Sequence, residues 1–197
     1  MSREPSGEGG EGRLLVVSGP SGVGKGTVVA ALRARHPNIA VSVSVTTRPR
    51  RPGEVDGVSY HFIDDVSFDA LRDAGGLLEW AEFASGRYGT PVGPVASALA
   101  EGRDVVLEIE VQGARQIRER FPGAILVMLV PPSLDALRQR LAGRGTETAE
   151  QMAQRLEEGR RELEHAREFD HVVRNDRVDR AAEEIGRILQ DRTGAGA

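Results

Sequence analysis

The segment from Gly19 to Thr27 constrains the fold of this chain more than any other part of its sequence. It reads Gly-Pro-Ser-Gly-Val-Gly-Lys-Gly-Thr, so that four residues separate Gly19 from Gly24 and Lys25 follows at once. This is the Walker A spacing, and it lies between an apolar run at 14–17 and a segment of helical period at 27–35, as the motif requires. In that context backbone N–H groups and a helix N-terminus bind a nucleotide phosphate. We therefore predict phosphate contacts from consecutive residues, namely Gly19, Pro20, Ser21, Gly22, Val23, Gly24, Lys25, Gly26 and Thr27.

Two positions of this loop carry further information. Lys25 is the single lysine among the 26 basic residues, and all the others are arginine. A position that keeps lysine against such a bias indicates a function that a compact ammonium can perform and a planar guanidinium cannot. Here that function would be contact with the β/γ oxygens of a nucleotide. The next residue, Gly26, departs from the motif, because a Ser or Thr hydroxyl for Mg²⁺ usually stands there. The nearest hydroxyl is that of Thr27, so the ligands of the metal stay open at this point.

The rest of the chain alternates short apolar runs with longer segments of helical period. Runs at 14–17, 105–107 and 125–130 have no polar alternation, which is typical of strands buried on both faces of a parallel sheet. A helical segment follows each of them and also a run at 171–173, so we predict an α/β fold of the P-loop NTPase type, with helices covering a parallel sheet.

Two regions interrupt this rhythm. Residues 45–95 contain several prolines and glycines around short strands, which predicts a small α+β insertion. Residues from about 142 to 156 have few apolar side chains that could pack against the core, which predicts a mobile lid. The core domain is then expected at 13–44 and 96–192, between a disordered lead-in at 1–12 and a disordered tail at 193–197.

Composition excludes several classes of protein. Asp and Glu number 30 against 26 Lys and Arg, a net charge of −4, so no basic field indicates nucleic-acid or membrane binding. The chain has no cysteine, which excludes disulfide scaffolds and cysteine-ligated metals. Its longest apolar run, at 124–130, is far shorter than the roughly 20 residues that cross a bilayer. Without a basic start followed by an apolar stretch, we expect a cytoplasmic protein. We also expect small-molecule partners, and either a monomer or a homodimer.

Several separately spaced motifs together indicate a family. They include the arginine cluster at 48–51, the segments at 54–62, 78–83 and 87–90, and the segments at 111–114 and 141–148. With these motifs the chain, from about residue 14 to residue 189, resembles guanylate kinase of the bacterial type. The resemblance implies a nucleoside monophosphate kinase of purine metabolism, with a core domain, a GMP-binding insertion and a lid. It implies transfer of the γ-phosphate of ATP to GMP, giving ADP and GDP.

The resemblance also implies roles for individual residues. The GMP phosphate would be held by two arginines and two tyrosines, and guanine would face polar groups; the implied GMP-binding set is Ser44, Arg48, Arg51, Tyr60, Glu79, Tyr88, Thr90 and Glu108. Positive charges on the loop, the insertion and the lid side would be catalytic, namely Lys25, Arg48, Arg140, Arg144 and Arg155.

Two departures from the family pattern concern these roles. Thr90 stands where Ser is frequent, and Glu108-Ile109-Glu110 stands where Asp-Ile-Asp is common. A longer Glu side chain shifts any contact by about one carbon–carbon bond. We expect Mg²⁺ to be required but held mainly by ATP phosphates and water, with Thr27 a modest contributor and Glu108 or Glu110 accepting hydrogen bonds from its water ligands.

Two other functions remain open from the sequence. The acceptor could be another nucleoside monophosphate, although Glu79 in its Leu-Glu-Trp context favours guanine. The chain could also be a non-catalytic guanylate-kinase-like interaction module, which the intact phosphate loop opposes. Phosphoryl transfer needs alignment and charge neutralisation more than a general base, and the four histidines are scattered without a recognisable motif.

Overall fold

The structure, a computed structural model, describes residues 12–83, 86–142 and 149–191. In chain order its elements are β1 (Leu14–Ser18), α1 (Lys25–Arg35), β2 (Ala40–Val41), β3 (Val45–Thr46), β4 (His61–Phe62), α2 (Asp65–Asp73), β5 (Leu77–Phe83), β6 (Gly86–Pro91), α3 (Val92–Ala100), β7 (Val105–Glu108), α4 (Val111–Arg120), β8 (Ile125–Val130), α5 (Leu134–Ala142), α6 (Ala149–Glu164), β9 (His171–Arg174) and α7 (Val178–Gln190). A 3₁₀ turn, His165–Glu168, follows α6.

The larger sheet is parallel and has the strand order β2-β7-β1-β8-β9. Its central strands are apolar except for Ser18 and Glu108, the last residues of β1 and β7, because both faces are covered by helices. On one face Leu15 and Val17 pack in a buried cluster with residues of α1 and α7. On the other face Val16 packs in a second cluster with residues of α3 and α4. The predicted α/β fold of the P-loop NTPase type is therefore confirmed.

The smaller sheet is mixed and has the strand order β4-β3-β6-β5. It covers a small core in which Phe68 of α2 is completely buried with Val45 and Leu77. Helix α2 begins at a clear signal, since the carboxylate of its N-cap residue Asp64 accepts the Ser67 backbone N–H at 2.7 Å. Strand β5 of this sheet also packs against helix α4, which covers the larger sheet.

Sequence periodicity predicted the longer elements better than the short ones. Strands β2, β3 and β6 and helix α3 were not predicted as such, and helix α3 contributes Val95 and Ala98 to the core of the larger sheet. The predicted domain boundaries at 45 and 95 stay a prediction. The predicted lead-in up to residue 11, the tail at 193–197 and the lid residues 143–148 lie outside the described residues. Among the helices that the structure describes, none is both long and apolar enough to cross a membrane.

Candidate active site

The phosphate loop follows β1 and ends at the first residue of α1, Lys25. Glycine is required at two of its positions. Gly19 has a φ of 144°, and a Cβ there would lie 2.3 Å from the Leu129 carbonyl oxygen on the neighbouring strand. Gly24, the N-cap residue of α1, is in the left-handed region with a φ of 97°. The loop therefore packs against the sheet while its backbone stays close to the N-terminus of α1.

The Lys25 ammonium lies at the centre of the loop. Its Nζ donates to the Gly19 carbonyl oxygen at 2.5 Å and lies 3.5 Å from Oε1 of Glu110. The side chain is only 10% exposed. The ammonium is thus held inside the curve of the loop, where a phosphate could replace the carbonyl oxygen as its partner.

The structure explains the glycine that departs from the Walker A pattern. A Cβ on Gly26 would lie 3.3 Å from Oε2 of Glu108, whose carboxylate also accepts a hydrogen bond from the Gly26 backbone. Glu108 ends β7, the strand beside β1 in the larger sheet. A side chain at position 26 would therefore make a tight contact with this carboxylate, which would have to shift by a few tenths of an ångström. Thr27, the third residue of α1, is exposed.

Two of the predicted lid-side arginines contact the phosphate loop. Arg140 of α5 donates from Nη1 to the Val23 carbonyl oxygen at 2.9 Å and from Nη2 to the Asn175 carbonyl oxygen at 2.8 Å. Arg155 of α6 donates to the Ser21 hydroxyl oxygen at 2.7 Å. The remaining predicted lid-side charge, Arg144, lies outside the described residues.

Two carboxylates, those of Glu110 and Glu162, interact electrostatically with Lys25. Oε2 of Glu110 and Oε2 of Glu162, on α6, are both buried and have no hydrogen-bond partner within the described residues. Burial, with the nearby charge of Glu110, raises the pKa of Glu162 to about 7, and the Lys25 ammonium partly opposes this rise. Helix α6 therefore brings acidic as well as basic groups to the loop.

A separate group of side chains surrounds Arg48, whose residue exposure is only 5%. Glu54 binds its guanidinium in a two-point contact, at 2.7 Å from Nη1 and 2.5 Å from Nη2, and Nε donates to the Tyr88 hydroxyl at 3.1 Å. The guanidinium also lies 5.0 Å from the centre of the Tyr60 ring. This ion pair lowers the pKa of Glu54 to about 2. The structure thus brings together Arg48, Tyr60 and Tyr88, as the resemblance implies.

The other predicted residues of this group are less enclosed. Arg51 has an exposed side chain, while its backbone N–H donates to Oε2 of Glu54 at 2.8 Å. Ser44 is half-buried, and its carbonyl oxygen accepts the His61 N–H at 2.9 Å. Glu54 therefore joins Arg48 to the turn that carries Arg51.

A third group contains a deeply buried carboxylate. Glu79 of β5 is 3% exposed, and Thr90, directly opposite on β6, donates its hydroxyl to Oε1 at 2.6 Å. Oε2 lies against α4, where a Cβ on Gly113 would be 2.3 Å away. Burial raises the pKa of Glu79 to about 7, although the Thr90 hydrogen bonds oppose the rise. The cost of charging this carboxylate would be offset by further hydrogen-bond donors.

This raised pKa predicts how stability depends on pH. The pKa of Glu79 rises from 4.5 to about 7 on folding, so the folded state favours the protonated form and loses stability as pH increases through that window. Above about pH 7 the full cost of the buried charge is present, of the order of 3 kcal/mol. Replacing Glu79 with glutamine should therefore stabilise the ligand-free protein at pH 8 but not at pH 4.5.

Urea unfolding without nucleotide at the two pH values measures this effect. Glu82→Gln is the matched control, because Glu82 lies on the same strand and is exposed. If Glu79→Gln changed the free energy of unfolding equally at both pH values, the buried charge would not be the cause of that change.

Sequence reasoning missed three residues of these groups. Glu54 holds Arg48, Glu162 interacts electrostatically with Lys25, and Asn175 is 3% exposed with its amide donating to the Val23 carbonyl oxygen at 2.8 Å. Asn175 is buried and the two glutamates are half-buried, which only the folded chain reveals. Asn175 follows directly after β9, as loop residues at the carboxyl end of a parallel strand often do at functional sites.

Comparison with known proteins identifies the family of this chain. The sequence profile of guanylate kinase matches residues 11–192. The chain is 58% identical over 177 residues to the guanylate kinase of Cutibacterium acnes, with 89% of each chain covered, and 56% identical over 173 residues to that of Thermobifida fusca, with 88% of each covered. The crystal structure of guanylate kinase from Anaplasma phagocytophilum has a TM-score of 0.76 at 32% identity, covering 91% of this chain and 85% of that one. Since the profile match includes the phosphate loop, the Arg48 group and Glu79 together, this chain belongs to the guanylate kinase family.

Proposed function

We infer that this chain transfers the γ-phosphate of ATP to GMP, giving ADP and GDP, and that the three groups of residues divide this work. The choice of guanine rests on the buried position of the Glu79 carboxylate, which is 3% exposed. One of its oxygens accepts a hydrogen bond from Thr90, and the other lies beside a glycine of α4. Guanine presents the N1–H and N2–H donors side by side, and a carboxylate accepts both. Adenine would place a lone pair against the same oxygens.

The Arg48 group would hold the phosphate of GMP. Glu54, Tyr88 and the Pro49 carbonyl oxygen occupy four N–H donors of Arg48, so its remaining donor on Nη2 has a fixed direction. Tyr60 and Tyr88 add hydroxyl groups beside it, with ring centres 5.8 Å apart. Arg51 and Ser44 complete the proposed GMP contacts. The GMP phosphate carries about two negative charges near neutral pH and attacks directly, so the site needs no general base.

The phosphate loop would hold ATP. Lys25 and the N-terminus of α1 neutralise the β- and γ-phosphates, and Arg155, which contacts Ser21 of the loop, would approach the transferred group. Arg140 donates to backbone carbonyl groups of Val23 and Asn175, so it braces the loop. Arg144 is proposed, from the resemblance alone, as a further charge that closes on the phosphates.

The residues present fit a magnesium ion that ATP brings with it. In the part of the chain that the structure describes, Glu110 keeps one buried carboxylate oxygen without a hydrogen-bond partner, while Glu108 lies beside the loop at Gly26. Within the described residues no three acidic or histidine side chains are grouped to bind a metal by themselves. Glu108 and Glu110 would therefore accept hydrogen bonds from water around the ion, and Thr27 would add a hydroxyl. When bound, Mg²⁺ neutralises phosphate charge and aligns the β- and γ-phosphates.

The exposed position of Thr27 predicts a limited effect of its hydroxyl. Thr27→Val should lower kcat about two- to tenfold and leave activity measurable, because ATP phosphates and water supply the metal ligands. Turnover at a series of Mg²⁺ concentrations measures this, with Thr27→Ser as the control that keeps the hydroxyl. Complete loss of activity in a normally folded valine variant would instead make Thr27 a direct ligand.

A single set of assays tests the proposed function. ADP release is followed with Mg·ATP and, in turn, GMP, AMP, CMP and UMP. We expect GMP to be the strongly preferred acceptor. Preference for a different monophosphate would select the alternative acceptor, and binding of GMP without any ADP release would select the non-catalytic module. Cytoplasmic localisation and the state of monomer or homodimer stay predictions.

A further inference from the structure

Strand β5, which carries Glu79, is an edge strand of the smaller sheet, with β6 as its strand neighbour. The other side of β5 faces helix α4 of the core. An edge strand has backbone N–H and C=O groups without strand partners, and these need other hydrogen bonds when they are buried. Here side chains of α4 supply them.

Gln116 makes a two-point contact with the backbone of Trp80, the residue after Glu79. Its Nε2 donates to the Trp80 carbonyl oxygen at 2.6 Å, and its Oε1 accepts the Trp80 N–H at 3.2 Å. The side-chain amide therefore pairs with the strand in the way that a backbone amide of a further strand would. Both the donor and the acceptor of glutamine are needed for this.

Two other residues on the same face of α4 complete the contact. Arg120, one turn further along, donates to the Leu78 carbonyl oxygen at 2.7 Å and to the Leu77 carbonyl oxygen at 3.1 Å. Gly113, one turn earlier, leaves the space in which Oε2 of Glu79 lies. The stripe of residues 113, 116 and 120 thus follows β5 closely on both sides of Glu79.

Helix α4 also begins at the phosphate loop. Its N-cap residue is Glu110, whose Oε1 is 3.5 Å from Nζ of Lys25. One rigid helix therefore connects the carboxylate beside Lys25 to the strand that carries Glu79. A displacement of β5 relative to α4 would move Glu79 relative to the centre of phosphoryl transfer.

We propose that Gln116 is a positioning residue for recognition of the base, and that it fixes the Glu79 carboxylate by pairing with the backbone of Trp80. This inference rests on the proposed function, in which Glu79 accepts two donors from guanine. A two-point contact tolerates little displacement, whereas a single contact can adapt by rotation of the side chain. Loss of Gln116 should consequently affect a ligand that uses both donors more than a ligand that uses one.

Inosine monophosphate is the appropriate comparison, because it keeps N1–H but lacks the 2-amino group. Gln116→Met preserves the length of the side chain and removes both hydrogen bonds. We expect kcat/KM for GMP to fall about tenfold or more and kcat/KM for inosine monophosphate to fall clearly less, while KM for ATP stays within about twofold. The preference for GMP over inosine monophosphate should therefore narrow by at least about threefold.

Gln112→Met is the matched control, since it makes the same exchange one turn earlier on the same helix, at an exposed residue. It should leave all of these values unchanged. Amide hydrogen exchange gives a reading independent of activity: the Trp80 N–H should lose protection in Gln116→Met and keep it in Gln112→Met. If Gln116→Met does not fold, Gln116→Glu takes its place, because it keeps an acceptor for the Trp80 N–H but sets a carboxylate against the Trp80 carbonyl oxygen.

The outcomes separate this inference from the proposed function. A wild-type protein that does not prefer GMP to inosine monophosphate would overturn the role of Glu79, whatever Gln116 does. A wild-type preference that survives unchanged in both Gln116 variants would overturn the positioning role alone. Equal losses for the two acceptors would also overturn it, because they would show a general effect on the fold.

Discussion

Lys25→Arg should lower kcat by about a thousandfold, although the exchange conserves charge and the chain uses arginine at every other basic position. The ammonium nitrogen lies 2.5 Å from the Gly19 carbonyl oxygen and 3.5 Å from Glu110, in a side chain that is 10% exposed. A guanidinium is longer and planar, and it cannot turn three donors toward a phosphate from the same point. The loop would have to open to accept it, which would move the backbone N–H groups away from the phosphate.

Single-turnover and steady-state rates with Mg·ATP and GMP measure this loss. Arg33→Lys is the reciprocal control, because Arg33 is an exposed residue of the same helix, and it should have no effect. Thermal unfolding confirms that both variants are folded. A Lys25→Arg enzyme that keeps more than about a third of the wild-type rate would refute this account of the single lysine.

Glu79→Gln should lower kcat/KM for GMP by at least about a hundredfold, equivalent to about 2.7 kcal/mol, with KM for ATP near normal. Glutamine keeps one acceptor oxygen for guanine but turns an NH₂ group toward the guanine donors in a site where the residue is only 3% exposed. The Thr90 hydroxyl, which donates to Oε1 of Glu79 at 2.6 Å, keeps an acceptor in the variant. The variant should therefore recognise guanine less well, while the contact between residue 79 of β5 and Thr90 of β6 stays intact.

The comparison requires GMP and AMP as acceptors for both proteins, with Glu82→Gln as the control on the same strand. The difference on GMP should be larger at pH 8 than at pH 6, because the pKa of Glu79 near 7 leaves much of the ligand-free wild type protonated at the lower pH. A glutamine variant that is indistinguishable on GMP, or a wild type that prefers AMP, would remove Glu79 from the base site.

The local parts of the site could be predicted from sequence, and the parts made by distant residues could not. The phosphate loop is a continuous segment between a strand and a helix, so its spacing alone located it. The surroundings of Gly26 are not local in sequence, because the carboxylate beside it belongs to Glu108 on another strand. Gln116 on a polar helix face gave no sign that it would pair with the backbone of a strand at residue 80.

Two further omissions have different causes. Glu54 follows an arginine cluster that resembles a solvated loop, and its role depends on Arg48 being buried between the tyrosines. Helix α3 was missed because Pro91, Gly93 and Pro94 lie at its start and normally interrupt regular structure. Proline is tolerated in a first helical turn, where the backbone N–H has no partner within the helix, so these residues mark where the helix begins.

The position of Trp80 has a practical consequence. It is the single tryptophan of the chain, it directly follows the carboxylate proposed to read the base, and it is half-buried with the Arg72 guanidinium 5.6 Å from its ring centre. Indole emission from the whole protein therefore comes from the strand that carries Glu79. An acceptor that binds at Glu79 should change this emission, so we expect stopped-flow fluorescence to follow acceptor binding and release without a label and separately from the chemical step.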